Sequence, residues 1–104
     1  MRRIFPVEVT TEMHLSPSLE SLLSERPILT DGAWGTQLQA RGLAIGDCPE
    51  AWNLLHPERV EEVARAYVEA GSRIILTNTF GANRFALERH TLAEQTVEIN
   101  RAGV

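Results

Sequence analysis

The chain has 104 residues, of which 43% are hydrophobic and 23% charged, which is typical of an ordinary soluble globular protein. Its 14 acidic and 10 basic residues give a net charge of −4, and the basic residues form no cluster, so we expect neither nucleic acid nor a membrane surface as a partner. No apolar run approaches the roughly 20 residues of a membrane span. The single cysteine, Cys48, excludes an internal disulfide, and the expected compartment is the reducing cytoplasm.

Residues 1–26 are predicted to be an N-terminal extension that contains one short helix. Pro17 opens a helical pattern, and either Ser16 or Ser18 is suited to cap its first turn. The proline at position 27 should end this helix, because the residue before a proline is pushed out of the α region.

Residues 27–104 are predicted to form a separate α/β unit. The run 28–30 is interpreted as a brief strand followed by a glycine-containing turn. The run 72–78 is interpreted as a strand buried on both faces, because its apolar residues are consecutive rather than alternating. Pro57 begins the clearest helix between them, and Gly71 should end it in a left-handed conformation. This strand–helix–strand order implies parallel pairing with a right-handed crossover.

The flanking segments complete this prediction. Residues 42–56 are interpreted as mostly loop, and the sequence at 91–94 is typical of a capping box that opens a final helix. Two parallel strands do not make a sheet that stands alone, so we expect the chain to be the opening portion of a larger α/β protein. The alternative is a complete small α/β domain of unusual design.

Polar residues follow both predicted strands at the point where each strand ends. Asp31 and Gly32 follow the first strand, and Thr77, Asn78 and Thr79 lie at the end of the second. In a parallel sheet both groups fall on the carboxyl edge, where open sheets and barrels bind ligands. A carboxylate there can hold an ammonium group, while an approachable backbone N–H and short hydroxyl groups can hold a carboxylate. The set therefore suits the zwitterionic end of an amino acid.

A purely structural role for these residues is the alternative. Asp-Gly is a common turn pair, and Asn or Thr after a strand often caps the next helix. The glycines at 32 and 35 do not form a nucleotide-binding fingerprint. Cys48 has no histidine at metal-ligand spacing, and Trp34 and Trp52 either line a pocket or pack in the core.

Several segments together resemble the homocysteine S-methyltransferase family. Residues 28–36 match a strand followed by Asp-Gly-Ala-(Met or aromatic)-Gly-Thr, and residues 69–80 match Ala-Gly-(Ala or Ser) followed by Thr-Asn-Thr-Phe. Residues 48–58 and 98–102 match the linking segment and the helix that follows. The resemblance covers residues 27–104 in one register.

This resemblance implies a fold and an activity. The family fold is a (β/α)8 TIM barrel, of which this chain would supply the first two βα units. Family members transfer a methyl group to the sulfur of homocysteine and so form methionine, with zinc held by cysteine thiolates keeping that sulfur deprotonated. The methyl donor is betaine, S-methylmethionine, S-adenosylmethionine or a methylcobalamin fed by methylfolate, and the sequence does not choose among them.

The resemblance also assigns roles to single residues. Asp31 corresponds to the carboxylate that receives the substrate ammonium, and Gly32 to the backbone N–H that meets the substrate carboxylate. Thr79 corresponds to a second contact to that carboxylate, with Thr77 and Asn78 alongside. The zinc cysteines of the family, one single and one adjacent pair, have no counterpart, since the lone thiol at position 48 does not match a zinc position.

Three functional expectations follow. The first is the N-terminal fragment of a homocysteine S-methyltransferase that is inactive alone. The second is a non-catalytic partial-barrel module that binds a partner or self-associates through open barrel edges. The third is an unrelated barrel enzyme that uses Asp31 as a general base.

Overall fold

The computed structural model describes residues 16–25 and 27–104, so the predictions for residues 1–15 and for Arg26 lie outside the described residues. The first described helix, α1, spans Pro17–Ser24, as the proline and the preceding serine predict. The Ser16 Oγ accepts a hydrogen bond from the Leu19 N–H at 3.2 Å, which satisfies one of the amides at the helix N-terminus that have no partner within the helix.

The rest of the described chain is mainly helical. Its helices are α2 (Gly35–Gln39), α3 (Trp52–Leu55), α4 (Pro57–Glu69), α5 (Arg84–Glu88) and α6 (Thr96–Gly103), with 3-10 turns at Pro49–Ala51 and Ala93–Gln95. Helix α4, the longest, confirms the prediction made from its proline, its acidic first turn and its terminal glycine. No described helix is both long and apolar enough to cross a membrane.

Gly71 lies just after α4 with a φ of +114°, a backbone conformation that residues with a Cβ rarely adopt. Changing Gly71 to Ala should lower the free energy of unfolding by about 1–2 kcal/mol, because an L side chain is strained there. The matched control is Gly35→Ala, since nothing lies within 4 Å of a Cβ built at Gly35. Urea denaturation of both variants should show a loss for the first and no loss for the second. Equal midpoints would contradict the conformational argument.

Of two further local predictions, one holds and the other is wrong. The stretch 42–56 is mostly loop, since residues 42–48 and 56 lie outside helices, and the rest of it forms the 3-10 turn Pro49–Ala51 and helix α3. The capping box at 91–94 does not form: Thr91 has a φ of +57°, and its hydroxyl donates to the His90 carbonyl instead of to a helix amide. Local side-chain bonding has replaced the cap there.

The predicted fold class, an α/β fold formed by the first two βα units of a TIM barrel, is also wrong. Among the described residues the two predicted strands make one isolated parallel bridge, between Thr30 and Ile74, and no sheet. Around that bridge, the Asp31 N–H donates to the Ile74 carbonyl at 3.1 Å and the Ile74 N–H donates to the Leu29 carbonyl at 3.3 Å.

The bridge does not extend because the next N–H donors of the ladder bond to other acceptors. The Leu76 N–H, which would bond to the Asp31 carbonyl in a parallel ladder, donates instead to the Asp31 carboxylate at 3.0 Å. On the other side, the Ser72 N–H, which would bond to the Pro27 carbonyl, donates instead to the Tyr67 carbonyl at 2.9 Å. Within the described residues no third strand flanks the pair, and a lone strand pair is at best marginally stable.

Two small apolar clusters hold the helices together instead. The first, which we call the α4 cluster, joins α4 to α2 and to the segment between them; its buried members are Leu38, Leu43, Trp52 and Val63. The second, the α6 cluster, joins α6 to α5; its buried members are Cys48, Ala82, Leu87 and Ile99. The segment 48–53 contributes to both clusters and so connects the two halves of the packed region.

Candidate functional site

Asp31 lies where the predicted strands meet, and one of its carboxylate oxygens joins two segments. Its Oδ2 accepts hydrogen bonds from the Trp34 Nε1 at 2.6 Å and from the Leu76 N–H at 3.0 Å. Its Oδ1 has no hydrogen-bond partner within residues 16–25 and 27–104. The side chain is thus fixed by one oxygen while the other retains its acceptor capacity.

Gly32 brings its backbone close to helix α4. A Cβ built at Gly32 would lie 3.1 Å from the Tyr67 Oη, and that hydroxyl donates to the Ala33 carbonyl at 2.6 Å. Gly32 is exposed, and no atom of the described residues accepts a hydrogen bond from its N–H. An exposed, unpaired N–H on a held backbone is a suitable donor to a ligand carboxylate.

Thr77 and Thr79 form a hydroxyl pair beside this segment. Their Oγ1 atoms are 2.7 Å apart, and the Thr79 N–H donates to the Thr77 carbonyl at 2.9 Å. Thr77 is exposed and Thr79 is half-buried. When one hydroxyl donates to the other, the second still has its own O–H to donate to an anion.

Asn78, between the two threonines, is buried and bonds within the protein. Its Nδ2 donates to the Pro49 carbonyl at 3.0 Å and to the Asn53 Oδ1 at 2.9 Å. The backbone carbonyl of Asn78 accepts from the Asn53 Nδ2 at 2.8 Å. Both side-chain N–H groups of Asn78 therefore donate within the fold, and a ligand contact by this side chain stays a prediction.

A cavity of about 480 Å³ lies between helix α4, residues 75–78 and the end of α6. Of the five predicted site residues, only Thr77 and Asn78 line it. Trp34 lines it as well, packs on the α4 cluster and donates to Asp31, so both roles left open for this residue hold. The cavity extends to one end of the predicted site rather than enclosing it.

Sequence reasoning assigned no role to Glu50 and Asn53, although both belong to the segment that resembles the family. Both side chains are buried and bonded to residues 78–81. The signal in the sequence was weak, because a Glu after a proline is equally typical of an exposed first helical turn.

Cys48 does not provide a zinc site. It is the only cysteine of the chain, and the described residues contain no group of three His, Cys, Asp or Glu side chains placed to hold a metal. Its Sγ donates to the Glu50 Oε1 at 3.5 Å. Burial raises the pKa of the Cys48 thiol, a backbone hydrogen bond at Ala51 opposes this, and the Glu50 carboxylate raises the pKa further. The described residues do not fit zinc, because Glu50 is the one potential ligand beside Cys48 and no third ligand completes a group.

The raised pKa predicts slow alkylation of Cys48. At pH 8, iodoacetamide should react far more slowly with the folded chain than with the chain in urea, because only the exposed thiolate reacts. Glu50→Gln should speed the native reaction by removing the carboxylate, and it should leave the rate in urea unchanged. A native rate equal to the rate in urea would contradict the burial of Cys48.

The raised pKa of Cys48 also predicts how the free energy of unfolding changes with pH. The folded state holds the Cys48 proton more tightly than the unfolded state, so the unfolded chain loses that proton first as pH rises. The contribution of Cys48 to stability should therefore fall above the pKa of an exposed thiol. Urea midpoints measured across that range, with Cys48→Ala as the control, should show this decline only in the unmodified chain.

Comparison with known proteins gives the relationship of the chain. The family model for homocysteine S-methyltransferase matches residues 28–104. Methionine synthase of Mycobacterium tuberculosis (strain ATCC 25618 / H37Rv) is 37% identical over 91 residues, which cover 82% of this chain and 8% of that protein. Methionine synthase of Mycobacterium leprae (strain TN) is 32% identical over 103 residues, which cover 93% of this chain and 8% of that protein. The chain thus spans about 8% of the length of these curated relatives. It belongs to the homocysteine S-methyltransferase family.

Proposed function

We propose that the chain takes part in methyl transfer to the thiol of homocysteine, which yields methionine, and that its own residues hold the amino-acid end of that substrate. The observation that carries this proposal is the geometry of Asp31. One oxygen is fixed by the Trp34 Nε1 and the Leu76 N–H, while the other has no partner among the described residues. A carboxylate held in this way is prepared to receive an ammonium group.

The substrate carboxylate is assigned to the neighbouring donors. The exposed N–H of Gly32 directly follows Asp31, and the hydroxyl pair of Thr77 and Thr79 follows the segment that Asp31 anchors through Leu76. An ammonium and a carboxylate on the same carbon need an acceptor and donors that lie close together. The parallel bridge supports this, since it joins the segment before Asp31 to the segment before Leu76.

The chemistry at sulfur is not assigned to this chain. The family resemblance implies zinc held by thiolates as the group that keeps the homocysteine sulfur deprotonated, and Cys48 with its neighbours does not fit that role. The contribution of this chain is binding and orientation of the amino-acid end. The purified 104-residue chain should therefore bind homocysteine without methylating it.

Calorimetric titration with three ligands tests the proposal. L-Homocysteine should bind, whereas 4-mercaptobutanoate, which lacks the amino group, and 3-aminopropane-1-thiol, which lacks the carboxylate, should each bind about tenfold more weakly or worse. Equal affinity for all three would contradict an amino-acid site. A parallel assay with zinc and each methyl donor should give no methionine, and measurable turnover would contradict the division of roles.

Exposed apolar side chains favour a second candidate, a non-catalytic module that binds a partner or self-associates. Leu76 is 66% exposed, Phe85 86% and Phe80 100%, and Phe80 directly follows the candidate site. The three side chains lie within residues 76–85 of the chain, and a large exposed apolar patch often marks an interaction surface. Sedimentation equilibrium distinguishes the candidates: a concentration-dependent oligomer with no homocysteine binding favours the module, and a binding-competent monomer favours the substrate-holding role.

A further inference from the structure

Buried polar side chains of the segment 49–53 hold the loop 77–81, which carries two of the proposed substrate contacts. Glu50 is 7% exposed, and its Oε2 accepts from the Gly81 N–H at 2.8 Å. Asn53 is 3% exposed and exchanges hydrogen bonds with Asn78 in both directions, at 2.8 and 2.9 Å. The Pro49 carbonyl accepts a further bond from Asn78 at 3.0 Å. The loop is thus fixed on both sides of Thr79.

Helix α6 also contacts Asn53 and the loop 77–81. The Asn53 Nδ2 also donates to the Ile99 carbonyl at 3.1 Å. A Cβ built at Gly103 would lie 2.6 Å from the Asn53 Nδ2 and 2.8 Å from the Thr79 Cγ2, so only glycine fits there without movement. The half-buried Thr79 therefore borders a buried network, while its hydroxyl hydrogen-bonds only to Thr77 among the described residues.

We infer that Glu50 and Asn53 are positioning residues that set the loop 77–81 for the amino-acid end of the substrate. The inference rests on the proposed function. Neither side chain offers a group to the substrate, because the polar atoms that define their roles are bonded within the fold. Their effect on binding passes through the backbone of the loop and through the hydroxyl of Thr79.

Glu50 allows the sharper test, because alanine removes the acceptor of the Gly81 N–H whereas glutamine keeps it. Glu50→Ala removes the acceptor for the Gly81 N–H, and we expect L-homocysteine to bind about fivefold more weakly. Glu50→Gln keeps an acceptor oxygen of the same reach, and we expect its affinity to stay within about twofold of the unmodified chain. Calorimetric titration gives both affinities.

A double-mutant cycle with Thr79→Ala separates positioning from general destabilisation. If Glu50 acts through Thr79, the variant carrying both Glu50→Ala and Thr79→Ala should bind no more weakly than Thr79→Ala alone. Gly71→Ala is the control, because it strains the backbone after α4 and its Cβ would meet only Leu29. It should lower the melting temperature and leave the affinity of the folded chain unchanged. Additive losses in the cycle, or an equal affinity loss in Gly71→Ala, would overturn the inference.

Hydrogen exchange followed by NMR distinguishes failure of this inference from failure of the proposed function. The Gly81 amide should be protected in the unmodified chain and in Glu50→Gln, and it should exchange roughly tenfold faster in Glu50→Ala. Homocysteine binding with an unprotected Gly81 amide in the unmodified chain would overturn the positioning role alone. Absence of homocysteine binding with this protection pattern intact would reject the proposed function and leave the network as a structural feature only.

Discussion

Replacing Asp31 with asparagine should weaken binding of L-homocysteine by about 10- to 100-fold. A hydrogen bond between two charged groups contributes about 1.5–3 kcal/mol, and asparagine removes the charge that the substrate ammonium meets. The fold should persist, because the amide oxygen of asparagine can still accept from the Trp34 Nε1 and the Leu76 N–H. Titration calorimetry gives the affinity and thermal unfolding confirms that the variant is folded.

Asp47→Asn is the matched control for this substitution. Asp47 is exposed, and its side chain makes none of the hydrogen bonds of the described residues, so the net charge changes equally while the site does not. Binding of 4-mercaptobutanoate, which has no ammonium group, should be the same in both variants. Unchanged affinity of Asp31→Asn for L-homocysteine would contradict the role given to this carboxylate.

Leu87→Ala should lower the free energy of unfolding by about 2–5 kcal/mol. Leu87 is 0% exposed in the α6 cluster and packs with Ala82 and Ile99, so truncation leaves a cavity in a small core. A domain of this size is commonly stabilised by only about 5–15 kcal/mol, so the loss is a large part of the total. Urea denaturation followed by tryptophan fluorescence measures it.

Phe85→Ala provides the control, because Phe85 lies on helix α5 together with Leu87. Phe85 is 86% exposed, and removing its ring should change the free energy of unfolding by no more than about 0.5 kcal/mol. The same helix thus gives one large and one small effect. A loss for Phe85→Ala as large as for Leu87→Ala would mean that the α6 cluster is not the stabilising core of this half of the chain.

Local signals in the sequence predicted the main helices well. Pro17 with Ser16, and Pro57 with Gly71, mark helix ends through bonding and backbone geometry that involve only neighbouring residues. The predicted capping box at Thr91 does not form, because a capping box needs the threonine in an extended conformation. The positive φ of Thr91 instead forms the tight turn after α5, which the Leu92 N–H closes by donating to the Leu87 carbonyl at 2.9 Å.

The apolar runs alone did not reveal that the described residues form a single bridge and no sheet. Consecutive apolar residues indicate burial on both faces, but burial requires neighbours that the local sequence does not specify. In the structure Leu29 and Leu76 remain more than half exposed, and the ladder stops where the Asp31 carboxylate takes the Leu76 N–H. The residue predicted to bind substrate is thus also the one that ends the strand pairing.

The candidate site could be proposed only in part from the sequence. A recognisable motif carries Asp31 and Gly32, whose Oδ1 and N–H have no hydrogen-bond partner among the described residues, and their contacts to substrate stay predictions. Glu50 and Asn53 were not assigned, because their function depends on reaching residues 78–81 across the fold. Sequence spacing of 25 or more residues carries no signal for such contacts in a single chain.

The most direct test is an NMR titration of the isotope-labelled chain with L-homocysteine. The largest amide shifts should fall on Asp31, Gly32 and residues 77–79, and they should saturate with one affinity that matches calorimetry. In Asp31→Asn the same shifts should require about 10- to 100-fold more ligand. Shifts confined to the exposed residues around Phe80 and Phe85, or no shifts at all, would contradict a homocysteine site built on Asp31.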